Sequence, residues 1–135
     1  MNNTQTYGIE VFSDKENLTK IEKFIDEVSS KLSINEELYG KIFLAIMEAA
    51  NNAITHGNKE DSQKIAKVII EKKNKKLIVI VKDEGNGFDY ENIPDPTLPE
   101  NIEKPDGRGV FVIRNLADET IFKNNGAEIQ IRFNL

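Results

Sequence analysis

Three short stretches carry side chains whose types and spacing could do chemistry. The first is EAANNAITH, residues 48–56. Glu48 and Asn52 are four residues apart, so on a helix their side chains are neighbours on one surface. A carboxylate there can take a proton or orient a nucleophile. An asparagine carbonyl is a hard oxygen ligand of the kind Mg²⁺ accepts beside phosphates and waters. The second is VKDEGNGFD, residues 81–89. Asp83 ends an apolar run and is followed by Gly85 and Gly87. A strand-end carboxylate can accept a hydrogen bond from an exocyclic amine such as that of adenine, and the glycines let backbone approach a flat ring without a Cβ clash. The third is PDGRGVFVIRNLADE, residues 105–119. Gly107 and Gly109 flank Arg108 where a helix should start. Helix N-termini offer free N–H groups and positive partial charge to phosphate, and Arg108 adds a guanidinium that can contact phosphate oxygens. Each stretch also has a plain reading: polar residues on a helix flank, an Asp-Gly turn, a loop-to-helix junction with an incidental arginine. The Walker pattern GxxxxGK[ST] is absent. His56, the chain's single histidine, reads first as a structural residue near a helix C-terminus, where a partly cationic ring suits the dipole.

These residues need elements to hold them. Residues 7–12 (YGIEVF) alternate as a strand, with Ile9 and Val11 on one side. Ser13 and Glu16 have the capping-box spacing and open a helix carrying Leu18, Ile21, Ile25, Val28 and Leu32 at helical intervals. Ser33 and Glu36 repeat that spacing before a second helix, whose apolar face is Leu38, Ile42, Ala45, Ile46, Ala49 and Ala53. Glu48 and Asn52 flank this stripe, and Gly57 is placed as its left-handed stop. Residues 65–71 and 77–81 form a hairpin across KKNKK. Residues 83–106 then gather Gly85, Gly87 and all four prolines, the mark of a functional lid or of disorder. A helix over 109–116 and strands over 120–123 and 128–133 close the chain. The order β-α-α-β-β-loop-α-β-β predicts an α/β (α+β) two-layer sandwich, its mixed, mostly antiparallel sheet covered on one face by helices.

Composition bounds the function. The 135 residues suit one domain spanning 1–135. An apolar fraction of 39% with 30% charged residues is that of a globular protein. The net charge of −5, with lysines spread among the acids, argues against nucleic acid as a partner. With no cysteine, disulfides and thiolate chemistry are excluded. No apolar run has the length of a membrane span and MNNTQTYG lacks a signal-peptide core, so the expected location is cytoplasmic.

The three stretches together resemble the Bergerat-fold (GHKL) ATPases, the superfamily of gyrase, histidine kinases and mismatch-repair ATPases. They are most similar to the anti-sigma-factor serine/threonine kinases of bacterial partner-switching systems. EAANNAITHG is similar to the family's N box, DEGNGFD to its first glycine box, and DPTLPENIEKPDGRGVFVIRNLADE, residues 95–119, to its lid and second glycine box. The resemblance implies a Bergerat ATP-binding fold, with Glu48 as catalytic base, Asn52 as Mg²⁺ ligand and Asp83 as the adenine-binding aspartate. It implies Gly85 and Gly87 beneath the base, Gly107, Arg108 and Gly109 at the phosphates, and an ATP lid over about 88–107. One position departs from the pattern: Ala127 follows Gly126 where many members carry threonine near the pocket.

By the same resemblance, the expected activity is transfer of the γ-phosphoryl of Mg-ATP to a serine on a STAS-type anti-anti-sigma protein. A sigma factor is a second expected partner, and a homodimer the expected assembly. The alternative is a nucleotide-gated binding module that sequesters a sigma factor or other regulator with little turnover. A sensor histidine kinase is disfavoured because the sequence shows no dimerising hairpin before the ATP domain and no spare phospho-accepting histidine. A gyrase-like ATPase would need a transducing domain.

Overall fold

The computed structural model describes residues 4–87 and 108–135, with the side chain of Arg108 outside that set. The expected lid and Gly107 therefore lie outside the described residues. The elements are β1 (Gln5–Phe12), α1 (Leu18–Lys31), α2 (Glu36–Asn52), β2 (Ile65–Lys73), β3 (Lys76–Lys82), α3 (Arg108–Leu116), β4 (Glu119–Lys123) and β5 (Glu128–Asn134). They form one five-stranded sheet of order β1-β2-β3-β5-β4. Every pairing among the described strands is antiparallel, so the mixed component expected of the sheet is absent from it.

Period-two alternation decides which face is covered. Ala66, Val68 and Ile70 of β2, Leu77, Val79 and Val81 of β3, and Ile129, Ile131 and Phe133 of β5 are all buried. The register sets Val68 opposite Val81 and Val79 opposite Ile131, giving cross-strand apolar pairs on one face. Ile21, Ile25 and Val28 of α1 and Ile42, Ala45, Ile46, Ala49 and Ala50 of α2 close over them. The helical period of these residues makes one apolar stripe per helix. Helix α2 takes the central place, packed on α1, α3, β3 and β5. The opposite face of the sheet carries charge pairs such as Lys67–Glu10 at 3.5 Å and Arg132–Glu119 at 3.6 Å; exposed pairs of this kind add little stability.

Three local expectations are corrected. Ser13 does not cap a helix: it is buried at the end of β1, and its hydroxyl donates to the Lys64 carbonyl at 2.9 Å. Asp14 caps instead, accepting from the Glu16 N–H at 3.0 Å, and a short 3₁₀ turn precedes α1. Ser33 does not cap α2 either, because its backbone is left-handed (φ 54°). Asn35 is the cap, accepting from the Leu38 N–H at 2.8 Å. Nor is Gly57 a left-handed stop. Helix α2 runs on into a π turn over Ala53–Gly57, in which the Asn58 N–H donates to the Ala53 carbonyl at 2.8 Å. The left-handed residues come later, at Lys59 and Glu60. The wider turn keeps Ala53 and Ile54 in the core.

Candidate functional site

Glu48 and Asn52 occupy the last turns of α2, half-buried at the margin of its apolar stripe. The first turn of α3 seats against them, and Gly109 makes that approach feasible. A Cβ at position 109 would lie 2.6 Å from Asn52 Nδ2 and 3.0 Å from Glu48 Oε2. No side chain fits there without displacing one of them. A carboxylate and a carboxamide thus meet the amino end of a nine-residue helix, the end that offers unpaired N–H groups to an anion.

The second cluster forms where β3 ends. The Asp83 N–H donates to the Ala127 carbonyl at 2.9 Å, carrying the β3–β5 ladder one step past the last strand pair. Asp83 Oδ1 accepts from the Gly85 N–H at 2.7 Å, which fixes the carboxylate against its own loop. Gly57 lies on the other side. A Cβ there would overlap the Asp83 carboxylate, and one at Gly85 would overlap the Gly57 carbonyl. Gly87 has φ 83° and turns against the backbone of Asn125, itself left-handed. Burial raises the Asp83 carboxyl pKa above the usual range, while the Gly85 N–H and nearby Lys64 pull the other way.

The structure therefore joins Glu48, Asn52 and Gly109 in one cluster and Asp83 and Gly85 in another, with the π turn running from Asn52 to Gly57 between them. Gly87 adjoins the second through its loop. For the third stretch, Gly107 and the Arg108 side chain lie outside the described residues; Arg108 opens α3. His56 is exposed on the π turn. Ala127 is buried and bonds Asp83 through its backbone alone. Among the described residues no cluster of three or more His, Cys, Asp or Glu could hold a metal, so a cation here would take few protein ligands. Two residues escaped the sequence reading. Gly57 looked like a helix stop, and the buried Asn58 had no motif around it; a Gly-Asn pair after a helix signals only a turn.

Comparison with known proteins adds an independent observation. Residues 11–133 match the family model described as histidine kinase-like ATPase domain. Among curated relatives, the chain is similar to the serine-protein kinase RsbW of Staphylococcus aureus strain JH9, 33% identical over 96 residues, covering 65% of this chain and 60% of the relative. The protein of the same name from strain Newman gives the same figures. The match thus spans about 60% of the length of these relatives.

Proposed function

The chain belongs to the histidine kinase-like ATPase domain family, within the GHKL superfamily, and from that premise we propose that it is an ATP-dependent protein serine kinase acting on a STAS-type anti-anti-sigma protein. The close seating of α3 on Glu48 and Asn52 through Gly109 is the observation that carries this reading, because it gathers a base, a metal ligand and a phosphate-binding helix end in one place. Likeness to proteins named serine-protein kinase supports the choice of reaction.

The residues have distinct tasks in this reading. The Asp83 carboxylate, held by the Gly85 N–H, accepts from the adenine amino group, and Gly85 and Gly87 let the backbone lie close to the ring. Gly107, Arg108 and Gly109 meet the phosphates at the start of α3. Mg²⁺, when bound through Asn52, screens phosphate charge. Glu48 accepts the proton of the attacking serine hydroxyl and aligns it, so that catalysis is mostly positioning and electrostatics. The cradle fits these groups: glycines stand at the points where a Cβ would crowd the acidic and amide side chains. The lid over 88–107, a single domain over 1–135, a cytoplasmic location, a homodimer and a sigma factor as second partner complete the proposal. No described helix is long and apolar enough to cross a membrane.

The test is calorimetric titration of ATP with and without Mg²⁺, followed by phosphotransfer from labelled ATP to a purified STAS-domain protein. Wild type is expected to bind ATP in a Mg²⁺-dependent way, and Asn52→Ala to lose that dependence. Glu48→Gln is expected to bind ATP and transfer nothing; retained transfer overturns the role given to Glu48. A second reading, the nucleotide-gated binding module, is favoured by one observation: the Ala127 methyl puts no hydroxyl beside Asp83. ATP binding with no transfer in the wild type, and a sigma factor retained in a pull-down, would establish it instead.

A further inference from the structure

Asn58 is fully buried and all its side-chain hydrogen-bonding atoms are engaged. Its Nδ2 donates to Ser13 Oγ at 2.8 Å and to the Ile65 carbonyl at 3.0 Å. Its Oδ1 accepts from the Glu84 N–H at 2.7 Å. Ser13 in turn donates its hydroxyl to the Lys64 carbonyl, and the Glu84 carboxylate accepts from the Ile65 N–H at 2.5 Å. One side chain thereby ties together the end of β1, the entry to β2 and the loop after β3. A buried network in which every member is satisfied holds a single geometry.

The placement of this network matters more than its size. The residue before Asn58 is Gly57, which presses on the Asp83 carboxylate. The residue that Asn58 grips, Glu84, follows Asp83 directly. Asp83 is therefore held from two sides by a group that does not touch the candidate ligand. Purine chemistry makes that hold consequential. Adenine presents an amino donor where guanine presents an oxo acceptor, and a fixed carboxylate accepts from the first and repels the second. A carboxylate free to slide can instead pair with the N1–H and 2-amino donors of guanine. Selectivity at such a site depends on how firmly the acceptor is fixed, since discrimination comes from polar groups that cannot rearrange to suit the wrong partner.

We propose that Asn58 is a positioning residue that sets the base selectivity of the nucleotide site, acting through Asp83; the inference rests on the nucleotide reading given above. The experiment is calorimetric titration of ATP, GTP and inorganic tripolyphosphate into wild type, Asn58→Ala and Ser13→Ala, each checked for folding by circular dichroism. Wild type should prefer ATP to GTP. Asn58→Ala should lower ATP affinity roughly tenfold and shrink the ATP:GTP ratio, with tripolyphosphate affinity unchanged. Ser13→Ala removes one of the two acceptors of Nδ2 and should move the ratio the same way by less; it decides the matter if Asn58→Ala does not fold. A lower melting temperature with an unaltered ATP:GTP ratio means that the network is only structural and overturns the proposal. Wild type that binds no ATP overturns the nucleotide reading itself, a separate result.

Discussion

At the scale of single residues, the most informative positions are those where geometry and charge conflict. Burial raises the folded-state pKa of Asp83 above its unfolded value. The stability this contributes is fully present below the unfolded pKa, about 3.9, and is lost as pH rises through the folded pKa. At neutral pH the ionised carboxylate is thus a cost to folding. Asp83→Asn is expected to melt slightly above wild type at pH 7, with no gain near pH 3, while its ATP affinity falls roughly 10- to 100-fold, the scale of a hydrogen bond to a charged group. Thermal scans at the two pH values and calorimetry check both halves. ATP affinity of the wild type should also fall on acidification at a pH above the ordinary aspartate range. Gly109→Ala separates site from scaffold in another way. Alanine favours a helix over glycine by about 1 kcal/mol, yet the added Cβ would crowd Asn52 and Glu48. ATP turnover should drop at least tenfold with no loss of melting temperature. Glu48, Asn52, Asp83, Gly85 and Gly109 were legible in the sequence because their spacing matches chemistry. Gly57 and Asn58 were not, because their partners Asp83, Ser13, Ile65 and Glu84 are remote in the chain.

At the scale of elements, helices and strands were read correctly and their ends were not. The strand and helix interiors follow from periodicity, which every buried residue reinforces. A cap depends on one side chain and one N–H, and several candidates stood side by side. Ser33 and Asn35 both looked able to cap α2; the left-handed backbone at Ser33 removes it from the role. Asn35→Ala should therefore cost about 1 kcal/mol in chemical denaturation, whereas Ser33→Gly should be neutral or stabilising, since glycine accepts positive φ without strain. Gly40 supplies a contrasting case in the same helix. Nothing lies within 4 Å of a Cβ added there, so Gly40→Ala should raise stability by about 0.5–1 kcal/mol, read from the denaturation midpoint.

At the scale of the whole molecule, the sheet is the part least open to change. Ile131 is fully buried in β5, between Val79 of β3 and Thr120 of β4. Ile131→Ala should cost about 2–5 kcal/mol, measurable by urea unfolding. The expectation of a two-layer arrangement held because the strand faces and helix stripes could be matched pairwise, whereas strand direction depended on connections that periodicity does not encode. The π turn over Ala53–Gly57 links these scales. It is one residue of slack in an otherwise regular screw. Removing a residue inside it, Thr55 for example, would let α2 continue as an ordinary helix, and each residue beyond would swing by about 100° around the axis. Gly57 would turn away from Asp83, and a bulkier neighbour would arrive in its place. The chain would keep its helix content and lose its nucleotide, so in this fold a single codon's deletion acts as a change of phase rather than a loss of a side chain.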